Sequence, residues 1–563
     1  MARIKIDNKI VISYDDVARD KYWKALSKYL IEKYGKVQYS NHKKVENILK
    51  DSFQFLVDSF RQLILIEKRF PFFLYVHWLH EQSIDIYIKT LRGFKLEGIR
   101  EGEFAMYRRL LKLILEQGCD VDLDWGGISS GKDVEIMDNK IQELIYLGTW
   151  MYQFADYISF QKMVEGCYQI SFDDKDLLTV EWRFHYGVVY KKFFPTLSED
   201  YKNAIFDERA GIDFKAKIEE CFNINYDFAG GIIFEIQKLL NPETPDLQTI
   251  EPYVLPLNLA NQYGIGKELA EIFYGGLTIS RINKLTIEDA ILKPHSTKRY
   301  MFRPILVYKI GGVERALIGK NKFSESIMVL STNAIHWNTM LDEWLTLNCM
   351  QSFITKKGNE HDKILEDKIE EIIRNKRLRF CRNIKSFKRA SKKNNINIDN
   401  ESAGEIDFII INSNQKTIYV ADVKYNRARY EVVGYRMDYT QFINPEKPHK
   451  SYETKLSKKV TWVRNNLSVL KEHLCIFYNK PDIDLEGYEV EGIFIINTPT
   501  FYMFNGQFKA ITLKQFEGFI EGSYKYPDLR IINGDGDYEM FATVSHPYFK
   551  EPIILRDDEM DNE

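Results

Sequence analysis

The stretch GEIDFIIINSNQKTIYVADVKYN, residues 404–426, is two apolar strand-like runs joined by polar residues, with Asp407 in one arm and Asp422 and Lys424 in the other. Asn414 and Gln415 suit the centre of a turn, closed by a two-residue loop or by a four-residue loop around the same centre. Antiparallel pairing about that centre makes partner numbers sum to 829, which predicts Asp407 directly across from Asp422. Their Cβ atoms would then lie about 4.5–5.5 Å apart on one face. Alternation puts Lys424 on that face too, two residues beyond Asp422. Opposed like charges destabilise a sheet, and a divalent cation between them reverses the sign of the interaction. Hard Mg²⁺ takes oxygen ligands, commonly one or two carboxylates with water and phosphate. The hairpin therefore reads as a metal site for Mg²⁺, with Mn²⁺ as its substitute.

Two neighbouring segments support that reading. In ILEDKIEEII the apolar stripe is Leu365, Ile369, Ile372 and Ile373, and Glu366 stands at its edge, positioned to reach over the sheet end; Glu370, one turn on, is the competing choice. The run RNKRLRFCRNIKSFKRASKK, residues 374–393, has ten Lys or Arg and no acid, an electrostatic footprint for phosphate just before the acidic hairpin. Arg379, Arg382, Lys385, Lys388 and Arg389 from this run, with Arg427, Arg429 and Arg436 after the hairpin, are expected to line a groove for a polyanionic backbone. The basic helix KSYETKLSKKVTWVRNNL adds to it.

The rest of the chain sets the architecture. Its 563 residues exceed one ordinary core and predict about two to four domains. Residues 1–295 carry mainly helical periodicity, as in KKVENILKDSFQFLVDSFRQLILIEK, and read as a recognition or assembly module. A β-hairpin around Gly311-Gly312 and a connecting helix occupy 296–350. From 351 to 563 the order helix, strand, strand, strand, helix, strand predicts a mixed sheet flanked by helices. The C-terminal extension FKAITLKQFEGFIEG reads as a strand and a helix that Thr512 caps. The fold class is thus α+β and multidomain. Six cysteines without paired spacing disfavour a disulfide framework and a structural zinc site. With no apolar leader at the start and no long charge-free run, a cytoplasmic location is expected.

The run GEIDFIII…IYVADVKYN after a helix containing LEDKIEEII resembles the PD-(D/E)xK, or restriction-endonuclease-like, nuclease superfamily over residues 355–500. Its third-strand motif is similar to that of McrC-type and Mrr-type nucleases. This chain has Ile406 where the family pattern has Pro. The resemblance implies catalytic roles for Glu366, Asp407, Asp422 and Lys424, with Mg²⁺ held by Asp407, Asp422, the Val423 carbonyl and Glu366. Lys424 would orient and deprotonate water or neutralise developing charge.

The implied function is Mg²⁺-dependent endonucleolytic hydrolysis of phosphodiesters, with double-stranded DNA as the expected polymer and bacterial restriction or antiviral defence as the setting. Cutting both strands calls for two sites, which fits a homodimer, and a partner subunit such as a separate NTPase is the other partner expected. The alternative is a catalytically inactive, nuclease-like subunit for nucleic-acid binding or assembly. Other motifs are set aside. GGISSGK, residues 126–132, has Asp133 where a P-loop needs Ser or Thr, and NGDGDYE, residues 533–539, lacks the Gly and Glu of a calcium loop. His77 and His80 lack a third ligand. Tyr439 and Gln441 follow the third strand and are assigned to a loop or to the site.

Overall fold

A computed structural model describes residues 3–14, 16–127, 131–187, 189, 210–227, 231, 247–331, 340–389, 395–398, 404–427, 429, 431–526, 528–532 and 540–549. The loop at 128–130 and the segment NGDGDYE lie outside the described residues, as do 390–393 of the basic run. The chain divides into two compact units, the first holding most of the residues up to Gly358 and the second mainly Asn359–Glu563. Among the described residues, no helix is long and apolar enough to cross a membrane.

The first unit combines helices such as His42–Leu65, Phe70–Leu91 and Glu101–Gly118 with a five-stranded sheet. That sheet draws its strands from both sides of residue 295. The hairpin Ile305–Ile310/Val313–Gly319 turns at Gly311 and Gly312, both at positive φ, as its sequence predicts. Its edges are then paired by Asp122–Leu123, Thr278–Ile279 and Leu247–Ile250, short strands buried in otherwise helical text. The 305–319 hairpin is therefore the middle of this unit's sheet, because exposed strand edges are satisfied by whatever short segments the tertiary structure brings alongside. A disulfide joins Cys221 to Cys349, a pairing that the scattered spacing did not predict. Tertiary packing of Ala210–Phe222 beside the start of the next long helix brings the two sulfurs together. His77 and His80 are fully buried in this unit, with the Tyr300 hydroxyl 3.0 Å from His77 Nε2.

The second unit is built on the part of helix α1 (Asn348–Asn375) from Asn359 onward, strands β1 (Arg379–Ile384), β2 (Ile406–Asn412) and β3 (Thr417–Lys424), helices α2 (Val432–Ile443), α3 (Tyr452–Asn465) and α4 (Leu467–Phe477), strands β4 (Glu489–Ile496) and β5 (Lys509–Thr512), and helix α5 (Leu513–Glu521). The sheet order is β1-β2-β3-β4-β5, antiparallel through β3 and parallel from β3 to β5. One face packs Phe408, Ile410, Tyr419, Ala421, Ile493 and Ile495 against Leu365, Ile369 and Ile373 of α1 and Phe516 of α5. Across the sheet, α2 packs Phe442 on Phe494, their ring centroids 5.0 Å apart. The apolar run of β4 is thereby covered on both faces, as parallel strands require.

Two elements differ from the expectation. Residues 432–443 form a helix, and the basic helix KSYETKLSKKVTWVRNNL is closed by Asn466, whose backbone at φ −120° is not helical and separates α3 from α4. At the start of α5 Thr512 stands at the N-cap position its sequence suggests, and the Gln515 side chain accepts from Thr512 N–H at 3.1 Å, one half of a capping box. Helix α3 approaches the sheet closely over Gly492 in β4, where a Cβ would stand 2.8 Å from Val460 Cγ2 and 2.9 Å from the Phe508 ring. Gly492→Leu is expected to destabilise the protein by about 1–3 kcal/mol through overpacking. Urea unfolding with an unchanged midpoint would show that the helix can shift at no cost.

Candidate functional site

The hairpin closes with a four-residue loop, Ser413–Lys416, between β2 and β3. Asn412 fixes it by accepting from Gln415 N–H and donating to the Ile520 carbonyl. Phe408 pairs with Ala421 and Asn412 with Thr417, so partner numbers sum to 829. Extended by one residue, this register sets Asp407 across from Asp422. Beyond β3, Asn426 and Asn497 exchange backbone and side-chain hydrogen bonds, at 2.6 and 2.9 Å, and tie the chain leaving β3 to the end of β4.

Asp422 is buried. Its Oδ2 lies 3.1 Å from Lys424 Nζ, and its Oδ1 accepts a hydrogen bond of 2.9 Å from Lys459 Nζ. Asp407 Oδ2 accepts from Val423 N–H at 2.6 Å, which turns the carboxyl toward the end of β3. Burial pushes Asp407 up to about 7, the charge on Asp422 adds to the rise, and Lys424 and Lys459 oppose it. Burial acts in the same direction on Asp422, yet Lys424 and Lys459 together hold it below the ordinary carboxylate range. Burial works against the charge of Lys424, but Asp422 and Asp407 outweigh it and keep the ammonium protonated. The same ammonium lies 4.9 Å from the centroid of the Tyr452 ring.

Two cavities open beside these groups. One of about 610 Å³ is lined by Glu366, Asp362, Glu405 and Asp407, and one of about 380 Å³ by Asp362, Val423, Lys424, Arg427, Gln441 and Tyr452. Glu366 thus stands beside the cavity that Asp407 faces, but its carboxylate receives Arg382 at 2.8 Å and Asn383 at 3.3 Å. Arg382 also binds Asp367 at 2.6 Å and Glu370 at 2.8 Å. Asp362, one turn before Glu366, borders both cavities. Partial burial and Glu366 raise its pKa, while Lys424 lowers it. Sequence reading passed over Asp362, although the stripe Leu365, Ile369 continued back one turn lands on it.

The expected phosphate-binding residues fall into different places. Arg382 and Arg429 are committed within the unit, Arg382 to three acids and Arg429 to Asp438 at 2.8 Å. Arg379 pairs with Ile411, four residues along β2 from Asp407, so it lies roughly 13 Å from the site at the far end of the sheet. Lys385, exposed beside Glu405, follows the strand end nearest the site. Lys388 binds His473 through its backbone, and Arg389 lies 3.6 Å from Glu472. Arg427 lines the smaller cavity. Tyr439 is buried against Phe501 and Tyr502, whereas Gln441 faces the cavity and accepts from Tyr452.

Lys459 was read only as part of a basic helix. Its position between Leu456 and Val463, both buried, puts it on the apolar face of α3, and that is the signal which marks it as inward-facing.

Among the described residues, no three His, Cys, Asp or Glu side chains are gathered closely enough to hold a metal. Two carboxylates and a backbone carbonyl are what the hairpin offers, a donor set that fits a hard ion completing its shell with water. The like-charged, largely buried Asp407–Asp422 pair is the feature that such an ion would relieve. Compared with protein-family models, curated proteins and solved structures, the chain matches none.

Proposed function

We propose that the second unit hydrolyses phosphodiester bonds of nucleic acid, with DNA as the polymer and Mg²⁺ or Mn²⁺ as cofactor, on a restriction-endonuclease-like scaffold. The observation that carries this reading is the placement of Asp407 and Asp422 in cross-strand register at the open end of an apolar sheet, with Lys424 beside them facing a cavity. Asp407, Asp422 and the Val423 carbonyl would hold the ion, which lowers the pKa of a bound water and offsets charge on the phosphate. Lys424 neutralises the charge that develops as the water oxygen bonds to phosphorus and the ester oxygen leaves. Its two carboxylate neighbours favour the ammonium, which supports that role over proton abstraction.

The acid from α1 is assigned to Asp362 before Glu366, since Arg382 already engages Glu366. Asp362→Asn is expected to lower cleavage by about 10–100-fold. Glu366→Gln should lower it less, and the reverse order in initial rates would return the role to Glu366. The function itself is tested by incubating the protein with linear, circular and single-stranded DNA and with RNA, in Mg²⁺, Mn²⁺ or EDTA. Metal-dependent cutting of DNA is the expected result.

A second reading, a non-catalytic nucleic-acid-binding or assembly subunit, is favoured by one observation: both oxygens of Asp422 are occupied by lysines. Salt-sensitive binding without turnover in any metal would select it.

A further inference from the structure

Lys459 belongs to α3, outside the motif that drew attention to the hairpin, yet it reaches the centre of the candidate site. Its side chain is 7% exposed and meets an Asp422 side chain that is 3% exposed, at 2.9 Å. An ammonium in an apolar helix–sheet interface is stable only opposite an anion, and loss of either partner leaves a buried charge uncompensated. The close seat of α3 over Gly492 fixes that encounter, because Val460 next to Lys459 fills the space that a Cβ would need. Asp407 and Asp422 are thus balanced by Lys424 and Lys459, two acids against two cations.

We propose that Lys459 is a positioning residue of the metal site: it anchors Asp422 through Oδ1, so that Oδ2, which lies 3.1 Å from Lys424 Nζ, is the oxygen that would meet an ion in exchange for that contact, and it limits the site to one divalent ion. The proposal rests on the metal-dependent reading of the hairpin. A site for two ions needs surplus negative charge to hold them apart from water, and a second lysine on the shared carboxylate removes that surplus. Lys459 substitutes for the second ion's charge while costing affinity for the first.

The test is calorimetric titration of the full-length chain with Mn²⁺ alone, followed by single-turnover cleavage at saturating Mn²⁺. Wild type is expected to bind one Mn²⁺, and Asp407→Asn to bind none. Lys459→Met, which keeps the stem and removes the charge, should bind Mn²⁺ at least about tenfold more tightly or take up a second ion, while cleaving about tenfold more slowly. Lys459→Arg, which keeps the charge, should retain the wild-type stoichiometry. Lys459→Gln replaces Lys459→Met if the latter does not fold, with the same gain in affinity expected. Two ions in wild type, or unchanged stoichiometry and affinity on removing the charge, would overturn the proposal. No Mn²⁺ binding by wild type would instead overturn the metal-dependent reading on which it rests.

Discussion

Asp422→Ala is expected to abolish metal-dependent cleavage, with a loss of about 10²–10⁴-fold or more in rate. The substitution removes the proposed ligand oxygens and also the anion that holds Lys424 and Lys459, leaving two ammonium groups without their shared partner. Part of the effect therefore falls on the fold. Lys424→Ala separates the contributions: it leaves the Lys459–Asp422 pair intact and removes the charge nearest the cavity, so activity should fall by a comparable factor with a smaller loss of stability. Rates on the cleaved polymer, read beside thermal unfolding of each variant, check both statements. Wild-type rates in a folded Lys424→Ala protein would remove lysine from the chemistry.

Asp407→Asn is expected to raise stability while eliminating activity. The Asp407 carboxyl moves from 3.8 to about 7 on folding, chiefly by burial and then by the charge of Asp422. An acid shifted upward takes stability away as pH rises. Below 3.8 both states are protonated and there is no cost; between 3.8 and about 7 the unfolded chain ionises first; above 7 the full cost remains. The shift corresponds to a few kcal/mol at most, on the order of 4 kcal/mol if borne by this group alone. Asp422, shifted downward, contributes stability of the opposite sense, which is lost only at pH below the ordinary carboxylate range.

The asparagine variant should accordingly melt up to roughly 3 °C higher than wild type at pH 8 in EDTA. The difference should shrink toward pH 4. Added Mg²⁺ should close the gap from the other side by stabilising wild type alone. A pH-independent difference in scanning calorimetry would show that the ionised carboxyl does not carry the cost.

Much of this arrangement is legible in the residue order. Polar Asn414 and Gln415 set the centre of the turn, and the four-residue loop around them fixes the register of two runs that are apolar on both faces. The Gln515 side chain that caps Thr512 N–H and the glycines at 311 and 312 act through neighbours in the chain, and each takes the place its local chemistry requires. Local sequence thereby determined that Asp407, Asp422 and Lys424 meet.

What the tertiary structure decided are contacts between segments far apart in sequence. Arg382 lies fifteen or so residues from the acids of α1 and looks like a free cation in its run, yet the packing of β1 beside α1 surrounds it with Glu366, Asp367 and Glu370. The strands at 122–123, 247–250 and 278–279 are too short to show a period and exist only because the 305–319 hairpin offers them an edge. Cys221 and Cys349 join across 128 residues with no spacing to announce it. Lys459 carries a positive charge in either environment, and only the docking of α3 over Gly492 determines that the charge meets Asp422 instead of solvent. Residue order determines which side chains share a strand face or a helix turn, since those spacings follow from backbone geometry, while the partner of a buried charge is set by the packing that removes its water.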